Sequence, residues 1–343
     1  MNSEDMPIKA CIDGMAKARE EIAKVIVGQD EAVDLSLIAL LCEGHVLFEG
    51  VPGLGKTLIV RSLADSLMLR FSRIQFTPDL MPSDVVGSTM ISQGDGSELG
   101  LRFEPGPVFS NLVLADEINR ASPKTQSALL QAMQERCVTV RGQSYPLPRP
   151  FLVLATQNPL EMEGTYPLPE AQVDRFLFKV IIGHPGQDEL VRILERTSGS
   201  SEAAASPVMR EADLLALQKA AREVVAAPAL LATAARIAIG TQPERPDSPE
   251  RVRRYARYGA GPRGAQALVL AAKARALLAG RLNATLADIE SVVMPALRHR
   301  IALNFDAQGE GVLAEDLISD SLAKAKAALE FDEAIAEREG ERR

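Results

Sequence analysis

Tryptophan is absent from the chain, and aromatic residues make up only 4% of it. Proteins that grip single-stranded nucleic acid stack bases on aromatic rings, and no such platform is visible here. Basic residues are outnumbered as well, 38 Lys and Arg against 46 Asp and Glu, for a net charge of −8. That balance disfavours non-specific nucleic-acid binding, so no nucleic-acid partner is expected. Three cysteines, Cys11, Cys42 and Cys137, and three histidines, His45, His184 and His299, lie far apart with no C-x-x-C spacing. Neither a zinc site nor a disulfide framework is indicated. No apolar run approaches the roughly 18 residues of a membrane span, and the first stretch, MNSEDMPIKACIDGMAKARE, is charged without an apolar core. The expectation is a soluble protein of a reducing compartment, the cytoplasm.

What is present begins with HVLFEGVPGLGKTL, His45 to Leu58. A β-branched and aromatic segment, Val46 to Phe48, runs into a Gly/Pro turn and then into helical apolar spacing from Thr57 onward. Gly50, Gly53 and Gly55, with Pro52 and Leu54 between them, let backbone N–H groups converge on phosphate oxygens ahead of a helix N-terminus. Lys56 supplies a point charge for the terminal phosphates, and the Thr57 hydroxyl suits Mg²⁺. The match to G-x-x-x-x-G-K-[ST] is complete from Gly50 to Thr57, with a strand before it and a helix after it. ATP and Mg²⁺ are the expected cofactors.

A second decisive feature is Leu112 to Ala115, a continuous apolar run that ends in Asp116-Glu117. Such a run followed by two acids is common by chance. After a phosphate loop it reads as a buried parallel strand carrying a metal-supporting carboxylate, Asp116, and a general base, Glu117. A further buried strand, Phe151 to Thr156, ends at Gln157-Asn158. Asn158 there could orient a water or could cap the turn before Pro159. Phe71 to Phe76 alternates cleanly, and Phe176 to Ile182 reads as a last strand. Five strands joined by helical segments give an α/β domain with a mainly parallel five-stranded sheet.

The remaining segments frame that core. Helices are predicted over Pro7–Ile26, Asp30–Cys42, Ala171–Arg175 and Gln187–Arg196. Val27-Gly28-Gln29 interrupts the first two. Hairpins are expected around Gly94-Asp95-Gly96 and around Gly142-Gln143. From Glu211 to Gly280 the sequence is rich in Ala, Leu and Arg with no strand signal, predicting a helical bundle. Gly261-Pro262-Arg263 opens one of its helices. Thr285-x-x-Asp288 caps another, which carries Ile289 to Leu297, and Leu313–Ala336 is a final amphipathic helix.

Taken together, GVPGLGKT, ADEINRA, ATQNP, EGTYPLPEAQVDRF and GPR resemble the MoxR family of AAA+ ATPases over essentially the whole chain. The resemblance implies a P-loop AAA+ core over residues 1–196, a linker over 197–210, and an all-α lid domain with a C-terminal helix over 211–343. It implies that Asn158 is the first sensor and that Arg263 is the second. Arg175 becomes a finger entering a neighbouring subunit's site, although beside Asp174 it could equally be a surface ion pair. Val27 and Gly28 match the segment lining the adenine pocket, Leu58 adjoins the loop, and Gly264 stands where many relatives carry Ala. The family further implies a homo-oligomer, a hexameric ring, and chaperone-like action on a client protein, often one with a von Willebrand A domain. A different class, a nucleotide-gated binding module in which ATP occupancy matters more than turnover, is disfavoured by Glu117, since a pure switch needs no base.

Overall fold

The computed structural model describes residues 5–93, 99–159, 164–198 and 204–340. It divides into two compact units, one of Met1–Phe176 with Val180–Lys219 and one of Leu177–Lys179 with Ala220–Arg343. The division falls within the helix Glu211–Glu223.

Eleven strands are assigned among the described residues. They are β1 (Val46–Glu49), β2 (Phe71–Gln75), β3 (Gly87–Gln93), β4 (Leu99–Pro105), β5 (Leu112–Asp116), β6 (Cys137–Val140), β7 (Gln143–Pro146), β8 (Leu152–Gln157), β9 (Phe178–Ile181), β10 (Ala256–Tyr258) and β11 (Ala302–Leu303). Five form one sheet in the order β2-β5-β8-β1-β9, and its pairings β2 with β5, β5 with β8, and β8 with β1 are parallel. All five residues of β5 are buried, as are the first five of β8, because helices cover a parallel sheet on both faces. β2, at the sheet's edge, instead alternates, with Ile74 buried between exposed Arg73 and Gln75. The core of this unit gathers Leu47, Phe76, Val113, Leu129, Val153 and Phe176.

Around this sheet the expected elements form with shifted ends. The first helices run Asp5–Val25 and Asp30–Leu41, and the helix after the phosphate loop runs Lys56–Ser66. The short helix before β9 is Glu170–Val173, ending ahead of Arg175. Ser122 caps the helix Pro123–Glu135 and a proline fills its first position. β3 and β4 pair antiparallel over seven residues each, while the Gly94-Asp95-Gly96 turn lies outside the described residues. The second hairpin turns at Arg141-Gly142, both with positive φ (52° and 81°), one position earlier than expected. Such a two-residue turn matches the twist of its strands.

The second unit is mostly helical. Helices Pro228–Gly240, Pro262–Leu278 and Ala314–Gly340 are its long members. Two expectations are corrected here. β10 and β11 form a small antiparallel sheet within the bundle. The helix predicted from Thr285 to Leu297 is broken into Leu286–Glu290 and Val293–Leu297. Pro295 supplies the reason, since it lacks an N–H and its ring crowds the carbonyl four residues back, at Ser291.

Candidate active site

Parallel strands point their C-terminal ends the same way, and in an open α/β sheet ligands bind at that edge. β1 delivers Gly50 there, β8 delivers Asn158, and β5 delivers Asp116 and Glu117. The Gly50 N–H donates to Gln157 O at 3.2 Å, so the phosphate loop leaves the sheet beside the residue preceding Asn158. A Cβ on Gly50 would lie 2.6 Å from Ile182 O, so close backbone approach explains that glycine. Gly53 and Gly55 have open space around them, and their φ values of 85° and 77° explain theirs. Gly55 ends the loop as the N-cap of Lys56–Ser66. Pro52 is exposed and Thr57 half-buried on this turn.

Lys56 Nζ donates to Gly50 O and, at 3.0 Å, to Val51 O. Burial holds its ammonium below the ordinary lysine value, and the charges of Asp116 and Glu117 oppose that shift. The loop cation and both acids therefore share one electrostatic environment.

The two acids are held by a network that sequence reasoning missed. The Thr156 hydroxyl donates to Asp116 Oδ1 at 2.6 Å and accepts from the Glu117 N–H at 2.8 Å. Arg73 donates to Asp116 Oδ2 from Nη2 at 2.7 Å and from Nε at 3.2 Å. Glu117 Oε2 accepts from Gln75 Nε2 and from Arg120 Nη1, both at 3.0 Å. Glu117 itself adopts φ 55°, ψ 50°, a left-handed conformation uncommon outside glycine. That turn ends β5 and starts a 3₁₀ helix, Ile118–Arg120, which brings Arg120 back to the carboxylate. The signal was partly available, for alternation in β2 puts Arg73 and Gln75 on one face, but only the strand order places β2 beside β5. Asn158, 5% exposed, completes this edge.

Thr57 and Asp116 fit Mg²⁺ by donor chemistry. A hard hydroxyl and carboxylate suffice, because Mg²⁺ keeps most of its waters. Asp116 Oδ2 already accepts a cationic group, Arg73.

Beside the loop opens a cavity of about 420 Å³, lined mainly by apolar atoms. Val27, the residue expected at a base pocket, lines it, joined by Gln29, by Gly53, Leu54, Gly55 and Leu58 of the phosphate loop and its helix, and by His184, Leu190, Ile193 and Arg196, which were not anticipated. Arg196 donates to Ala23 O at 3.1 Å and to Lys24 O at 2.7 Å, tying the helix Gln187–Thr197 to the end of the first helix. Gly28 does not line the cavity, and its φ of 74° and the Glu189 carboxylate packed against it account for its identity. An apolar slot of this size beside a phosphate loop suits a flat heteroaromatic base.

Arg175 is half-buried and donates from Nη1 to Leu130 O at 2.8 Å, while its Nε has no hydrogen-bond partner. Arg263 is the second residue of Pro262–Leu278 in the other compact unit. A Cβ on Gly264 would lie 2.9 Å from the Ala260 Cβ and 3.0 Å from Leu297 Cδ2, so tight packing accounts for the missing methyl group.

Comparison with known proteins agrees with this geometry. Residues 45–178 match the model of the ATPase family associated with various cellular activities, and residues 248–321 match an AAA lid domain. Chaperone MoxR1 of Mycobacterium tuberculosis is 42% identical, covering 91% of this chain and 82% of its own. Protein MoxR of Methylorubrum extorquens is 34% identical, covering 85% and 88% respectively. A crystal structure from Cytophaga hutchinsonii, described as that of a candidate ATPase, superposes with a TM-score of 0.87 at 39% identity, over 94% of this chain and 97% of that one. With a phosphate loop, an acid pair and a helical second unit in one chain, and relatives this similar over nearly its full length, the protein belongs to the MoxR family of AAA+ ATPases.

Proposed function

We propose that the chain is a Mg²⁺-dependent ATPase that hydrolyses ATP at the interfaces of a hexameric ring and uses the cycle to remodel or mature a client protein. The observation that carries this is the convergence of the phosphate loop, Asp116, Glu117 and Asn158 at the C-terminal edge of adjacent parallel strands. Lys56 holds two loop carbonyls, bonds that phosphate oxygens can replace. Bound through Thr57 and, by way of water, Asp116, Mg²⁺ would neutralise charge on the phosphates. Glu117 takes the proton of the attacking water, and its backbone is fixed for that task by Thr156. Asn158 orients the water without adding charge. The base occupies the cavity lined by Val27, Leu54 and Leu58.

Arg175 is assigned to the γ-phosphate of a neighbouring subunit and Arg263 to sensing it from the lid. The client, a protein with a von Willebrand A domain in the favoured case, and the cytoplasm as the site of action rest on family likeness. Cys11, Cys42 and Cys137, all free, suit a reducing compartment.

The shared site is tested by mixing subunits. Arg175→Ala and Lys56→Ala each remove a different half of it, and each alone should lose most ATP turnover, a trans arginine contributing about 10³- to 10⁵-fold. In mixed rings, verified by differential tagging, some interfaces pair an intact loop with an intact finger, so activity should partly return. Mixed rings no more active than the sum of the two variants would place Arg175 in its own subunit or in the fold alone.

A further inference from the structure

Neither oxygen of Asp116 is bare. Oδ1 accepts from the Thr156 hydroxyl, and Oδ2 accepts two N–H groups of Arg73. The guanidinium reaches it because Gln75 stands in register with Asp116, and Arg73, two residues earlier, shares the face of Gln75. Arg73 Nη2 also donates to Gln75 Oε1 at 2.8 Å, and Gln75 in turn donates to Glu117. Asp116 is 13% exposed at its side chain and Arg73 49%, so the anion is shielded while the cation has open solvent to swing into.

We propose that Arg73 is the resident counter-cation of Asp116, and that Mg²⁺ arriving with nucleotide, through the water it would place on the carboxylate, competes with it for Oδ2. The proposal rests on reading Asp116 as the metal-supporting carboxylate. A guanidinium and a divalent ion cannot both sit a few ångströms from one shielded oxygen without strong mutual repulsion. Metal entry therefore turns Arg73 toward solvent. Because the same Nη2 holds Gln75 Oε1, that movement also removes an anchor from Gln75, one of the two donors on Glu117 Oε2, while Arg120 keeps its own hydrogen bond.

The test measures ADP affinity by calorimetry in EDTA and again with Mn²⁺ as the probe, for the unaltered protein, Arg73→Gln, Arg73→Lys and Asp116→Asn. Removing the competitor should raise the factor by which Mn²⁺ tightens ADP binding by about three- to tenfold, the range of a partly screened ion pair. Arg73→Lys should keep the wild-type factor within about twofold, and Asp116→Asn should lose most of it. A factor in Arg73→Gln that is unchanged or smaller overturns the proposal, since Arg73 would then prop the carboxylate for the metal. If the unaltered protein binds ADP with no Mn²⁺ effect, the metal role of Asp116 fails and the proposal with it. Should Arg73→Gln not fold, the Arg73 side-chain Nε–H resonance of the unaltered protein gives the same answer. Its NMR signal, assigned by its loss in Arg73→Lys, must shift when Mg²⁺ is added to the ADP-bound protein, and a fixed signal contradicts the competition.

Discussion

His45 immediately precedes the strand that leads to the phosphate loop, and it is buried. Its Nδ1 accepts from the Val153 N–H at 3.0 Å, so Nε2 carries the proton and faces Met133 O at 3.2 Å. Phe151 meets the ring edge-on, with centroids 5.7 Å apart. Burial pushes the imidazole pKa down from 6.5 to about 4, the Met133 carbonyl opposes this, and the Arg136 charge adds to it. The unfolded chain thus binds a proton that the folded one refuses. The stability this neutral histidine provides is fully present above pH 6.5 and is lost as the pH falls toward about 4, by roughly 3 kcal/mol. Melting curves of the unaltered protein and His45→Gln, compared from pH 7 to pH 4, should converge as the pH drops. A difference that stays constant over that range would mean the imidazole is not protected. At this scale the sequence made the positions of the loop, Asp116, Glu117 and Asn158 legible, because each ends its strand or comes directly after it. It left Arg73, Gln75, Thr156 and Arg120 unread, because their roles come from neighbours 3 to 43 positions away that only the strand order and the Glu117 turn bring near.

Among the elements, those with a clear period were readable and the shortest were not. The alternation of β2 and the apolar runs of β5 and β8 announce strands, whereas β10 and β11, three and two residues long, are too short to hold a period. Capping is the other readable signal, and Thr285 to Asp288 shows how much it fixes. Asp288, 2% exposed, accepts from the Thr285 N–H and hydroxyl, both at 2.8 Å, and from Arg281 Nη1 at 2.9 Å. Burial pushes its carboxyl up, but the hydrogen bonds of Arg281 and Thr285 outweigh that and hold it below the ordinary aspartate value. Asp288→Ala should cost about 2 to 3 kcal/mol, less than for a fully buried pair because Arg281 is 37% exposed. Thermal unfolding would register this as a lowered melting temperature. A shift matching that of a surface substitution would show that the box and the ion pair add little.

In the whole molecule the proposed ATP chemistry belongs to the α/β unit, and a helical unit is carried in the same chain. That chemistry turns on Glu117, and one substitution addresses it directly. Glu117→Gln keeps an oxygen that can accept from Gln75 and Arg120, so the turn after β5 should hold and ATP should still bind. What it removes is the capacity to take a proton from water. ATP turnover measured beside ATP affinity should therefore fall by about 10² to 10⁴ while affinity changes by no more than about threefold. Turnover within about twofold of the unaltered protein, with ATP bound equally well, would contradict the assignment of Glu117 as the base.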